Sequence, residues 1–205
     1  MNYLLEKLLI LPGILLGISV HECAHGYAAV KMGDNTPLMQ GRLTLNPLKH
    51  IDPMGFICLL LFGFGWAKPV MINSGNFKNP RKDDALVSIA GPMANFITAF
   101  LFVGLMKLTD MFVPNTLSSQ ILWKILMNTV SINLVLMVFN LIPIPPLDGH
   151  HILGSIGGVG VWNFYYKYYD QLRFAMLLLI VFDGVSRIIG PVINILFNFL
   201  ISIFF

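Results

Sequence analysis

Polar residues are sparse along this chain, and the apolar runs between them mark out its elements. Residues 3–31 carry an unbroken apolar run from Leu8 to Val20 and read as a transmembrane helix. Lys7, that run and the small Ala28 and Ala29 imitate a cleaved secretion signal, but the apolar segments downstream make a secreted product implausible. Residues 54–65 are apolar yet too short to cross a hydrocarbon core about 30 Å thick, which predicts a re-entrant or partly inserted segment. Residues 84–107 and 121–142 are long enough to cross. Residues 173–189 form a fourth candidate, and 191–205 a fifth apolar stretch cut off by Gly190-Pro191, whose crossing stays open. Residues 66–74 mix β-branched and aromatic side chains with a proline, the pattern of a short edge strand or hairpin, with Gly63 and Gly65 permitting a tight bend. Gly154 to Gly160 reads as a flexible connection, since no strand precedes it. The predicted fold is an all-α membrane protein: a polytopic bundle of about four to five transmembrane helices with a re-entrant segment and a small β-hairpin at the membrane.

Composition agrees with that pattern. Hydrophobic residues make up 56% of the 205 and charged residues 11%, against roughly 25% charged in a soluble domain. The net charge of +3 is small, and no basic cluster or binding motif points to nucleic acid. Placement of charge says more than its sum. Lys31, Arg42, Lys49, Lys68, Lys78, Arg81 and Lys82 all fall between the first span and the 84–107 span, whereas the next loop holds little beyond Lys107 and Asp110. By the positive-inside rule the 31–83 region is cytoplasmic. Cys23 and Cys58 form no CxxC pair and no disulfide framework.

The chemistry lies near the cytoplasmic end of the first span. His21-Glu22-Cys23-Ala24-His25 is an HExxH motif. Positions i and i+4 of a helix project from nearly the same side, so both imidazoles can bind one metal ion. Glu22 follows the first ligand, where it can act as general base toward water. Ionisable groups at membrane depth are costly, and three on one buried turn are not expected to be idle. Cys23 projects about 200° away from His21 and reads as packing. A third ligand must come from elsewhere on the same side. The 121–142 span returns its C-terminal end there, into Asn140-Leu-Ile-Pro-Ile-Pro-Pro-Leu-Asp148-Gly149. Three prolines in four residues cannot continue a helix, and unwound backbone at that depth needs protein or a watery cavity to satisfy it. Asp148 on the break suits a third ligand with the fourth position left to water. His150 and His151 are rival ligands.

These motifs resemble the site-2 protease family of intramembrane zinc metalloproteases, peptidase family M50. Four signatures carry the likeness: residues 21–25, Asn46 to Gly55, Ala90 to Asn95, and Asn140 to Gly149. With no PDZ or CBS module visible, the match is to the compact bacterial type, a single transmembrane metalloprotease domain over 1–205 with its catalytic core in about 3–151 and C-terminal helices in 173–205. The resemblance implies one Zn2+ per chain, His21, His25 and Asp148 as its ligands, and Glu22 as catalytic acid and base. It also points to Asn95 and Asn140 as polar groups near the site, Asn140 as a possible oxyanion donor. The expected substrates are membrane proteins with a transmembrane or membrane-associated segment, cut within the bilayer of the cell membrane by an active site facing the cytoplasm. Val70 and Ile72, on the expected edge strand, are candidate substrate-binding residues through strand addition. Oligomeric state is not legible. A metal transporter and an inactive homologue acting as a binding protein are the alternatives; a transporter has no need of Glu22 between two histidines.

Overall fold

The computed structural model describes residues 3–62 and 65–205. Eight α-helices follow in chain order among these residues: α1 (Tyr3–Met32), α2 (Thr36–Met39), α3 (Pro53–Phe62), α4 (Pro80–Phe112), α5 (Leu117–Asn140), α6 (Asp148–Gly157), α7 (Val159–Val181) and α8 (Gly184–Phe204). Four of them, α1, α4, α5 and α8, are long and apolar enough to cross a membrane. The chain is a multi-pass helical membrane protein.

Helices α1, α4 and α5 pack against one another, and α8 lies against α5. Small residues set the closest approach. A Cβ on Gly13 would come within 2.9 Å of the Thr129 backbone, and one on Gly17 within 2.7 Å of Leu136. Without a hydrophobic drive between helices in lipid, such small-xxx-small faces let backbones meet and dispersion take over. Gly13, Gly17, His21 and His25 fall four residues apart, so the face that seats α1 on α5 continues directly into the two histidines. Below them, Ala99, Val103, Met106, Leu126, Val130, Leu134 and Leu200 fill the seam of α4, α5 and α8.

The long helices begin and end on local chemistry. Thr116 caps α5 in a reciprocal box with Ser119. Pro80 opens α4, and Asp83 reaches back to accept the Asn79 N–H at 2.8 Å. Gly33, at φ +111°, ends α1 where a side chain would be strained. The next residue, Asp34, is fully buried and accepts from the Thr36 N–H and hydroxyl, the Asn73 N–H and the Asn76 side-chain amide. It ties the segment around Asn73 to the end of α1.

Several sequence expectations need correction. The β-hairpin does not form among the described residues, and they give the re-entrant or partly inserted segment no support beyond a short helix. Residues 54–62 lie in the short helix α3, and no strand appears over 66–74. One isolated bridge, Ile51 to Ala67, stands in the hairpin's place. The reason is that side chains, not a partner strand, take the backbone groups of this segment. The Arg42 guanidinium donates to the carbonyls of Lys49, Lys68 and Pro69, and the Val70 N–H donates to Glu22. The bend assigned to Gly63 lies outside the described residues. The 173–189 span is two helices, because Asp183 adopts the left-handed conformation at φ +56° between α7 and α8, which a short polar side chain tolerates. Pro191, in turn, does not cut the last helix; α8 runs through it, as apolar helices can when neighbours satisfy the freed carbonyl. The expected flexible connection shrinks to Gly158 alone, at φ +74° between α6 and α7.

Asp34 gives the fold a testable acid sensitivity. Burial works against its charge, but the hydrogen bonds from Thr36, Asn73 and Asn76 hold the carboxyl below its ordinary range. A depressed folded value means the stabilisation is present above the unfolded value of about 3.9 and is lost as pH falls through the folded one. Asp34→Asn should lower stability at pH 7 by about 1–3 kcal/mol, the cost of turning an acceptor against buried donors. Thermal melts of the purified protein between pH 2 and 7 should show a steeper acid loss in wild type than in the variant.

Candidate active site

His21 and His25 sit one turn apart on α1, and both are buried. Each ring is fixed through Nδ1. His21 Nδ1 donates to Asn95 Oδ1 at 2.7 Å, and His25 Nδ1 donates to the Val87 carbonyl at 2.8 Å. The direction of the first bond follows from Asn95 itself. Its Nδ2 donates to the Gly17 carbonyl at 3.0 Å and to Asn133 Oδ1 at 2.9 Å, so only Oδ1 remains to face His21. With both Nδ1 atoms protonated, both Nε2 atoms present lone pairs. These lie 3.0 Å apart, and Asp148 Oδ2 stands 3.2 Å from each.

Three lone-pair atoms thus converge from α1 and the start of α6. Asp148 Oδ2 is buried and lacks a hydrogen-bond donor. Such an arrangement is repulsive unless a cation joins it. Tetrahedral ligands about 2.05 Å from an ion lie roughly 3.3 Å apart, close to the spacing found. The residues therefore fit a metal ion with an open fourth position. Among the described residues, this is the group of His, Cys, Asp or Glu side chains that could hold one.

Glu22 projects beside the pair, partly buried, with Oε2 accepting the Val70 N–H at 2.8 Å. The other expected site residues fall differently. Asn95 is fully buried, and its amide bonds His21, the Gly17 carbonyl and Asn133, which fixes the His21 ring. Asn140 ends α5 and donates to its own Leu136 carbonyl at 2.9 Å, not toward the histidines. Val70 is buried with its N–H on Glu22, and Ile72 packs against Ala29, Phe77 and Val87. Val70 therefore has no N–H free for strand addition. The rival ligands are also placed. His150 Nδ1 donates to the Leu147 carbonyl, and His151 Nδ1 to Asp84 Oδ2 at 3.1 Å.

Sequence reasoning passed over Gly91 and Asn133. A Cβ on Gly91 would collide with His25 Nε2 and come within 2.7 Å of His21 Cε1, so α4 can cover the imidazoles only with glycine there. Asn133 holds Asn95, which holds His21, and its own Nδ2 donates to the Thr129 carbonyl at 2.8 Å. An uncapped Asn deep in an apolar helix was the available signal, since polar groups at membrane depth are expensive.

Comparison with known proteins is consistent with this geometry. The family model described as "Peptidase family M50" matches residues 104–180, a stretch that includes Asp148. "Putative zinc metalloprotease YwhC" of Bacillus subtilis is 45% identical over 150 residues, covering 72% of this chain and 68% of that protein. "Putative zinc metalloprotease Rip2" of Mycolicibacterium smegmatis is 30% identical over 158 residues, covering 75% of this chain and 59% of that protein. No solved structure matches the chain.

Gly91 supplies a prediction that needs no substrate. Gly91→Ala should weaken binding of a divalent metal at least tenfold, the range seen when groups supporting ligands are disturbed. Equilibrium metal titration of apo protein checks it, with Gly104→Ala, which has only loose Phe204 contacts, as the control expected to bind normally.

An identity of 45% sustained over two thirds of a relative's length reflects common descent rather than one shared motif, and the chain belongs to peptidase family M50: it is a peptidase, a hydrolase.

Proposed function

We propose that the protein is an intramembrane zinc endopeptidase that cuts membrane proteins in or near their transmembrane segments. The observation that carries this reading is the buried meeting of His21 Nε2, His25 Nε2 and Asp148 Oδ2, with both histidines on a helix long and apolar enough to cross a bilayer. Two imidazoles and a carboxylate are a catalytic zinc set, one position short of closure. When bound there, zinc supplies a Lewis acid and brings the pKa of water from 15.7 toward about 7.

The chain's own residues supply the rest. The Val70 N–H fixes one oxygen of Glu22, leaving the other to take the proton of the attacking water. The same carboxyl then returns it to the leaving amine, the acid half of general acid–base catalysis. Asn95 and the Val87 carbonyl keep both imidazoles in the tautomer that turns Nε2 to the metal. Asn140 can donate to a developing oxyanion only after releasing the Leu136 carbonyl. A substrate helix must unwind locally, because its carbonyls are otherwise shielded and hydrogen-bonded.

The basic residues between α1 and α4 support an active site facing the cytoplasm of the cell membrane. Cysteines placed at Lys49 and Lys78, in a Cys23- and Cys58-free background, should react with an impermeant maleimide only from the cytoplasmic side. Labelling of both from outside would invert the topology.

The catalytic assignment is tested at Glu22. Glu22→Gln should leave zinc near one per chain but reduce cleavage of a fluorogenic single-span substrate by at least about 10²-fold, the lower range for a general base. Retained cleavage would remove Glu22 from the mechanism. Metal movement without cleavage in wild type would favour a transporter, and neither activity a binding protein.

A further inference from the structure

A cavity opens near the metal-ready cluster, between α6, α7 and the turn that precedes α6. It has a volume of about 290 Å³ and is lined by Pro146, His150, His151, Trp162, Tyr165, Tyr166 and Tyr169. Pro146 and His150 flank Asp148 at two residues' distance on either side. The cavity falls just below the roughly 300–1,000 Å³ of pockets that take drug-sized molecules. It fits one long side chain.

Its walls are π faces and proton acceptors. His150 meets Tyr165 edge-on at 5.5 Å and Trp162 at 6.3 Å, while His151 meets Trp162 at 5.6 Å. Tyr165 is buried, and its hydroxyl is spent on the Pro143 carbonyl at 2.9 Å. The two imidazoles are tied through Nδ1, His150 to Leu147 and His151 to Asp84. Their Nε2 atoms therefore carry lone pairs, with no donor to them among the described residues, and His150 is buried. Behind His151 stands Asp84, which also accepts from Ser155 and Ser74 at 3.2 Å. Aromatic faces and two acceptor nitrogens, with the Asp84 charge behind His151, suit a cation. The same rim already shows the affinity, since the Arg173 guanidinium sits 5.6 Å from the Tyr169 ring.

We infer that this cavity is a subsite for a lysine or arginine side chain of the substrate. The inference rests on the proposed protease reading, because that reading brings to this face a transmembrane segment whose cytoplasmic flank is enriched in Lys and Arg. Docking that flank beside Asp148 holds the adjoining segment near the metal-ready cluster. The cavity then reads position along the substrate rather than its apolar sequence.

The test is a binding measurement that needs no cleavage. Trp66→Phe and Trp123→Phe leave Trp162 as the sole tryptophan in a Glu22→Gln background. Poly-leucine transmembrane peptides with one flanking Arg, Lys, Gln or Leu are titrated in nanodiscs against Trp162 fluorescence. The Arg and Lys peptides should bind about tenfold tighter than the Gln and Leu peptides, within the range of a desolvated cation–π contact. Trp162→Phe, followed by tyrosine emission or a labelled peptide, should keep most of that preference; Trp162→Leu should lose it. Equal binding of the four peptides, or an unchanged preference in Trp162→Leu, overturns the subsite. So does a fluorescence change driven by anionic lipid alone, which would make the aromatic group a membrane anchor. Failure of the protease reading shows separately, as absence of cleavage by the Glu22-intact protein.

Discussion

Three buried lone-pair atoms pointed at one another are the constraint on which the rest of this structure depends. His21 Nε2, His25 Nε2 and Asp148 Oδ2 lie within hydrogen-bonding distance, yet the Nδ1 bonds leave no proton to share between the rings. Burial leaves Asp148 Oδ2 without a donor to relieve that repulsion. The arrangement stands only if packing fixes all three groups and a cation links them. Each principal helix contributes to that packing. Helix α1 carries both rings, α4 covers them with Gly91 and supplies Asn95 and the Val87 carbonyl, and α5 supports Asn95 through Asn133.

The loops between α1 and α4 serve the same end. Asp34 gathers the Asn73 and Asn76 donors against the end of α1, and Arg42 gathers three carbonyls of the 49–69 stretch. Between those two ties the Val70 N–H meets Glu22. Secondary structure is not what holds this segment beside the site. Two buried side chains with opposite charge do it, each saturating backbone groups that a sheet would otherwise pair.

Periodicity made the transmembrane helices legible, because long apolar runs admit few alternatives in lipid. The metal-ready cluster was legible too: i and i+4 histidines and an acid on a proline break are local signals, and the positive-inside rule brought both to one side. Other features depended on contacts that no local pattern records. Residues 66–74 have strand-like composition, but Arg42 and Glu22, distant in sequence, take their backbone groups. Asn95 reads as a polar group near the site, but that Gly17 and Asn133 hold its amide against His21 is not written in any local pattern. At Asp183, one left-handed residue divides an otherwise continuous apolar run into α7 and α8. Hydropathy averaged over a window does not register a single backbone dihedral.

The central claim is that His21, His25 and Asp148 together hold one zinc ion. X-ray absorption at the zinc edge of the purified protein tests it most directly. The expected neighbours of the ion are two imidazole nitrogens with carboxylate and solvent oxygen, all at about 2.0–2.2 Å, and His25→Ala should lose one imidazole's scattering. A sulfur neighbour at about 2.3 Å, which would bring Cys23 into the shell, contradicts it. So does a shell of three imidazoles that survives Asp148→Ala, which would move the site to His150 or His151.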